Sequence, residues 1–459
     1  MKHGWSIVFG LATSALALFP GRAEAAQGLG LNVHQSADVG VPVTADAGLT
    51  WVRVDFNWLD AEPSQGVYDF TRFDTIVDSA NARGLKVLAT VGYGPAWASA
   101  GDTLGDGTLN DVPIDGAYAA FVTALVSHFQ GRVDHYELWN EPNLDVFFEG
   151  SVDDYVDRVL LPGAAAVHAA CPDCLVVAPG IASIGGEYDV WLDTILTLAS
   201  DDIDIISAHV YAGFPDMGAG GVSGDDFFNK LDSHRVFEVN GTVLYEGPLS
   251  FKEVMNAHGA KQPFWMTETG IEADPSDPEA LAKQATYTRH VLEAMLPRLW
   301  WTATIFYEAF DEPASGYTFG VTVHDGSSPN GYSTKPAFEV IKKARATQPR
   351  FGGTPGDCVD GLDEDGDNLI DYPADPDCES VADIAEGILS GGAVGAGGGG
   401  GTGGLGGGGG AGGADTTDSG DGCGCALSAA SPGAPTLLLL ALFGFGVRRR
   451  SRRIRARAS

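Results

Sequence analysis

Basic residues are scarce in this 459-residue chain: 27 Lys and Arg stand against 61 Asp and Glu, a formal charge of −34. A nucleic-acid binder needs a basic stripe to displace condensed counterions, and the body of the chain has none, which excludes nucleic acid as a partner. The cluster Arg448, Arg449, Arg450, Arg452, Arg453, Arg455 and Arg457 lies at the C-terminus and reads as an address signal. Long apolar runs are also missing. The run at 435–447 falls short of the roughly 20 residues a membrane helix wants, so it is expected to be a transient sorting segment. No glycine-rich dinucleotide turn follows the first strand-like run, Leu29-Gly30-Leu31-Asn32-Val33-His34, which argues against a doubly wound nucleotide fold.

Cysteine is sparse, with six residues in three close pairs. Cys171 with Cys174 sits at a helix-to-strand turn, where a small structural disulfide is expected rather than a redox centre. Cys358 with Cys378 is read as a second disulfide, and Cys423 with Cys425 forms a third motif. This usage fits an oxidising destination. So does the N-terminus, where Lys2 and His3 precede an apolar stretch and an Ala23-Glu24-Ala25 cleavage site, the pattern of an export signal.

What is present divides the chain into five parts. Residues 1–25 read as the signal peptide and 27–350 as one large catalytic domain, since hydrophobic residues at 44% and aromatics at 10% supply a full core. Residues 356–380 form an Asp-rich loop closed by Cys358 and Cys378. Its Asp363, Asp365, Asp367 and Asp371 offer hard oxygen ligands for a structural calcium, the alternative being a solvated acidic loop. Residues 388–422 are a glycine-rich tether, and 423–459 carry the cysteine motif, the apolar run and the arginines.

Within the large domain, strand-like runs alternate with amphipathic ones. Strands are expected at 29–34, 50–56, 86–92, 135–141, 175–179, 203–211, 264–268 and 302–308. Helices are expected at 70–83, 118–129, 152–170, 188–198, 251–258, 278–295 and 334–347, and the link between the first two strands is short. Eight near-continuous apolar strands with covering helices imply a (β/α)8 barrel. The loop at 212–248 is long and holds Phe227, Phe228, Phe237 and Tyr245. It is either a lid or a decorative hairpin.

Two strand ends carry the chemistry. Tyr136-Glu137-Leu138-Trp139-Asn140-Glu141-Pro142 and Phe264-Trp265-Met266-Thr267-Glu268-Thr269 each finish in a carboxylate, so Glu141 and Glu268 emerge together at the carboxyl-end face. Such a pair is what glycosidic cleavage needs, one protonated acid and one ionised nucleophile. Arg53 is a charge inside the apolar strand Trp51-Val52-Arg53-Val54-Asp55. It is costly there unless it meets a carboxylate, and is placed beside Glu268. Trp97 and Trp139, with Tyr93, are candidate sugar platforms. Glu137 is expected to point away from Glu141 if its strand alternates cleanly, and Glu308, Asp311 and Glu312 add carboxylates near the face.

These motifs resemble the clan of retaining glycoside hydrolases built on (β/α)8 barrels, in which the acid/base Glu ends the fourth strand and the nucleophile the seventh. The likeness is greatest to family 39 and to family 5, through Trp51-Val52-Arg53, Gly66-Val67-Tyr68-Asp69-Phe70 and the run from Tyr136 to Asn143. The resemblance implies that Glu141 is the acid/base, that Glu268 is the nucleophile and that Asn140 bonds the substrate's 2-hydroxyl. It implies further that Tyr211 of His209-Val210-Tyr211 bonds the nucleophile, and that no cofactor serves catalysis. Where the clan carries a tryptophan ending the eighth strand, this chain has Tyr307, with Phe310 a second candidate to stack on the sugar. The C-terminal pattern is similar to myxobacterial surface-sorting tags, which implies processing machinery at the membrane and retention at the cell surface. The expected partner is a poly- or oligosaccharide. A non-catalytic carbohydrate-binding surface protein and a transglycosylase are the alternatives.

Overall fold

The computed structural model describes residues 28–351, except 106, 108, 184–186, 212–216, 219–220, 223–229, 235, 240–241, 312–315, 326–327 and 329. The export signal, the Asp-rich loop with Cys358–Cys378, the tether and the sorting pattern lie outside the described residues. So do Phe227, Phe228 and Glu312.

The strands run Gly28–His34, Trp51–Asn57, Lys86–Gly92, His135–Leu138, Leu175–Val177, Ile181–Ala182, Ile206–His209, Phe264–Glu268 and Trp301–Phe306, all in one parallel sheet. Leu175–Val177 lies at one edge of the strand order and Ile181–Ala182 at the other. These are two pieces of one chain stretch. Bridges from Asn140 to Gly180 and from Val177 to Ile205 tie that stretch to both neighbours. The sheet therefore closes on itself as an eight-stranded (β/α)8 barrel whose fifth strand is broken in the middle.

Helices Thr71–Asn81, Ala117–Phe129, Leu161–Ala170, Tyr188–Ala199, Phe251–Ala257, Pro278–Met295 and Pro336–Thr347 follow strands two to eight. Only the seven-residue Gly40–Asp46 helix links the first two strands. The region expected as one helix at 152–170 is three pieces, with a π-type turn at Val156–Leu160 between two α-segments. Part of the long loop is a hairpin, Val236–Val239 against Thr242–Glu246. Cys171 and Cys174 are joined by a disulfide at the turn before the fifth strand.

Strand alternation explains the two cores. In the second strand Val52 and Val54 face the helices, while Trp51, Arg53 and Asp55 face the barrel axis. The outward residues belong to the main helix-covered core. The inward ones at the strand starts form a separate cluster of Trp51, Leu88, Leu175, Val177, Ile205, Trp265, Ala303 and Ile305. Above that plug the inward positions become polar.

Candidate active site

Arg53 stands directly above the apolar plug and uses three nitrogens on three partners. Nε donates to Glu137 Oε2 at 2.7 Å, one terminal nitrogen to Glu268 Oε1 at 2.6 Å and the other to Asn140 Oδ1 at 2.7 Å. All four side chains are buried. A guanidinium has no acceptor and a rigid fork, so the site's geometry is set from this one residue. Glu137 also accepts from Thr90 Oγ1 and Ser207 Oγ. Contrary to the expectation, Glu137 does not point away from the site. Glu137 turns inward to Arg53 from the strand itself, and Glu141, beyond the strand's end at Leu138, is brought to the same side by left-handed backbone at Trp139 and Glu141.

Glu268 accepts from Tyr211 as well, whose hydroxyl is 2.7 Å from Oε2, and at 3.4 Å from Asn32 Nδ2. Burial, then the Glu268 charge, hold the Tyr211 phenol well above its usual range, so it remains a donor. Three donors thus converge on this one carboxylate.

Glu141 is placed differently. The fourth strand ends at Leu138, after which Trp139 (φ 84°) and Glu141 (φ 43°) take left-handed backbone. Non-glycine residues rarely do so, and such strain collects at functional sites. The Glu141 amide donates to Gly180 O, and Asn143 pairs both ways with the Ala182 backbone, so the broken fifth strand pins the turn. Burial pushes the Glu141 carboxyl up to about 8; Arg53 opposes the shift and the Glu137 charge adds to it. Its partner is His209 Nδ1, 2.8 Å from Oε1, and the same nitrogen lies 3.4 Å from Glu268 Oε2. Burial lowers the imidazole to about 4, so it is neutral. Its Nε2 has no partner among the described residues, and a Cβ at Gly180 would overlap that atom. A bare acceptor costs less than a bare N–H donor, which assigns the proton to Nδ1, where it is donated to Glu141.

Oxygens of Glu141 and Glu268 and a nitrogen of His209 lie within 4.8 Å of one another. That spacing would suit a metal, but Arg53, Tyr211 and the Nδ1 proton already meet these atoms, and the donor set reads as a hydrogen-bonded acid pair. Asp102, Asp111 and Glu149 form a second acidic group in the loops after the third and fourth strands. There Asp102 and Glu149 accept from loop N–H groups, and Ser99 donates to Asp111.

Beside this centre lies an array of which only Glu308 was expected near the face. His34, ending the first strand at a register shift with φ 49°, has Nδ1 2.8 Å from Asp55 Oδ2 and Nε2 2.9 Å from Glu308 Oε2. Burial alone would lower the imidazole, yet the Asp55 and Glu308 charges raise it well above its usual value. Signals existed: Asp55 is two residues beyond Arg53 on the same face, and strand ends are where barrel sites lie.

The other expected residues fall on both sides of the cleft. Tyr307 is partly exposed, edge-on to His34 with ring centroids 5.5 Å apart and adjoining Tyr211. Phe310 packs on the core. Trp139 is not a platform: its left-handed backbone turns the ring outward, where it is fully buried and donates to Phe147 O at 2.8 Å. Trp97 is half-buried, edge-on to Trp58, with Nε1 on Glu62 O. Tyr93 is half-buried, and the Asp55 and Glu141 charges act on it. Asp311 pairs with Lys335 at 2.7 Å, which takes it out of the cleft chemistry.

The family model described as glycoside hydrolase 42, β-galactosidase, matches residues 34–101, a stretch that includes Arg53. A curated β-xylosidase of Geobacillus stearothermophilus is 27% identical over 157 residues, 31% of this chain and 31% of that protein. The chain thus spans about a third of the length of that relative. Among solved structures, a family 39 glycoside hydrolase from Bacteroides cellulosilyticus WH2 has a TM-score of 0.51 at 21% identity, covering 69% of this chain and 63% of that one. A family 39 β-xylosidase from Caulobacter crescentus has 0.50 at 19%, covering 71% and 74%. The fold resembles the (β/α)8 barrels of glycoside hydrolases and is similar to those of the two family 39 structures.

Proposed function

We propose that the barrel is a retaining β-glycosidase in which Glu141 is the acid/base and Glu268 the nucleophile. One observation carries the reading: two buried carboxyl groups meet at His209, whose Nδ1 bonds Glu141 at 2.8 Å and lies 3.4 Å from Glu268, with oxygens of both acids within 4.8 Å of each other, one held protonated to about pH 8 and the other surrounded by Arg53, Tyr211 and Asn32. Retaining enzymes keep their carboxyl groups about 5–5.5 Å apart, whereas inverting ones leave about 6.5–9.5 Å for a water.

Glu141 gives its proton to the glycosidic oxygen as that oxygen leaves the anomeric carbon, and Glu268 bonds to that carbon from the opposite face. The Glu141 carboxylate then takes a proton from water. The water oxygen displaces Glu268, and the anomeric configuration is restored. Asn140 turns Oδ1 to Arg53, which leaves its Nδ2 to donate to a sugar hydroxyl. The β-xylosidase relatives make an aryl β-xyloside the first probe. Residues 1–25 support export, the pattern at 423–459 supports retention at the cell surface by membrane processing machinery, and Asp363, Asp365, Asp367 and Asp371 support a structural calcium.

The test is hydrolysis by the full chain across β-linked oligosaccharides and aryl β-glycosides, beside Glu141→Ala and Glu268→Ala. Both variants should lose at least a thousandfold, and azide should restore a glycosyl azide of inverted configuration in Glu268→Ala. Glycan binding without turnover across the panel would replace this reading with that of a non-catalytic carbohydrate-binding protein. Sugar transfer in preference to hydrolysis would make the protein a transglycosylase.

A further inference from the structure

We propose that Asp55, held by His34 against Glu308, is a specificity-determining residue that accepts a hydrogen bond from a hydroxyl of a neutral sugar seated on Glu268, and that this wall rejects uronic acids. The inference rests on the glycosidase reading and goes on to name the substrate class.

The wall is built from three strands. His34 ends the first, Asp55 lies in the second, and Glu308 follows the eighth. Both ring nitrogens of His34 face carboxylate oxygens, at 2.8 and 2.9 Å. Ionised carboxylates only accept, so the ring must carry both protons to satisfy them, and it is an imidazolium. It clamps Asp55 Oδ2 and leaves Oδ1 without a hydrogen bond among the described residues. The Asp55 and His34 side chains are about one-fifth exposed and Glu308 is buried, so Asp55 is the carboxylate that a ligand reaches.

Its place is beside the reacting centre. Asp55 acts electrostatically on Arg53 and His209, and His34 meets the Tyr307 ring, which meets Tyr211. At the end of the eighth strand, where an aromatic floor was expected, Tyr307 stands edge-on to His34 and the next residue, Glu308, is ionic. Recognition at this wall is by hydroxyl-to-carboxylate bonds, with ring stacking secondary.

The charge balance sets the class of sugar. With Glu141 protonated, the carboxylates Asp55, Glu137, Glu268 and Glu308 still outnumber the cations Arg53 and His34. A sugar carboxylate brought to Asp55 would be desolvated against a like charge, whereas a hydroxyl supplies the donor that Oδ1 lacks. A site built to bond a hydroxyl discriminates strongly against analogues lacking it.

The experiment uses the full chain and 2-deoxy-2-fluoro glycosyl fluorides of xylose, glucose, mannose, galactose and glucuronic acid, with attachment to Glu268 read by mass spectrometry. At least one neutral reagent should label Glu268, and the glucuronyl reagent should be at least a hundredfold slower. For the aryl glycoside of the labelling sugar and its monodeoxy analogues, one missing hydroxyl should lower kcat/KM about ten- to a hundredfold in the parent protein. That ratio should collapse towards one in Asp55→Ala and Asp55→Asn, an effect a merely structural role would not produce. A thermal melt of both variants checks folding. Neutral labelling with every deoxy ratio unchanged in Asp55→Asn, or faster labelling by the glucuronyl reagent, overturns this inference and leaves the glycosidase reading standing. No labelling of Glu268 by any reagent overturns both.

Discussion

The barrel interior holds two chemistries, one above the other. In its lower half Trp51, Trp265 and His135 meet with ring centroids 4.7 to 5.3 Å apart, closed by Leu88, Val177, Ile205 and Ile305. In its upper half, one inward position higher along the same strands, stand Arg53, Glu137 and Thr90, and then Asp55, Glu141 and Glu268 at the mouth. Trp51 and Arg53 are two residues apart, yet one is held by packing and the other by directed hydrogen bonds. The difference teaches how a barrel separates duties. The lower plug tolerates whatever fills its volume, while the upper layer requires particular partners because each buried charge there is worth keeping only when paired.

The sharpest way to break that contrast is Arg53→Met, which extends the apolar plug upward. It strands Glu137 and Glu268 as buried carboxylates and is expected to cost about 3–5 kcal/mol of stability at neutral pH. Denaturant unfolding should also show much of that loss recovered at low pH, where the stranded carboxylates can bind protons.

An opposite effect, of comparable size at most, is expected from Glu141→Gln. The native carboxyl is raised to about 8 from the ordinary value of 4.5, so between these values the native state holds a proton that the unfolded chain releases. Stability of the parent protein therefore declines as pH rises through that window. The glutamine variant should match it below pH 4.5 and surpass it by a few kcal/mol at pH 8–9, with catalysis lost. Thermal melts across pH measure this. A parallel pH dependence in the two proteins would refute the assignment of the proton to Glu141.

Least disruptive should be Trp51→Phe in the plug, at about 1–2 kcal/mol. The phenyl ring that replaces the indole is also a neutral aromatic, available to the Lys86 ammonium that lies 5.4 Å from the indole ring, so the cost should be similar at pH 6 and pH 9, and kcat/KM on the substrate found should shift less than threefold.

Much of this was legible in the residues. Apolar runs of strand length, bounded by turn residues, marked all eight barrel strands, since a parallel strand buried on both faces has to be apolar throughout. The ends were less accurate. The fourth run was expected to continue to Glu141 but stops at Leu138, and the fifth breaks at Ala178–Gly180, because a strand's end is decided by neighbouring strands and its own composition does not record it. Trp139 shows the same limit: an aromatic beside a catalytic motif reads as a platform until the backbone turns it outward. His34 and Glu308 stand 274 residues apart and meet at 2.9 Å, a contact that no local pattern encodes.

By itself the sequence determined the number and order of strands, the positions of Glu141 and Glu268 at two strand ends, and Arg53 as a charge that demanded a carboxylate. These follow from period, hydrophobicity and the cost of burying charge, which act along the chain. Only the tertiary structure decided which carboxylate keeps its proton, which histidine is neutral and which is charged, and that Asp55 faces the cleft. Those properties depend on burial and on fields from residues scattered over nearly 300 positions, and they come into being only when the barrel closes.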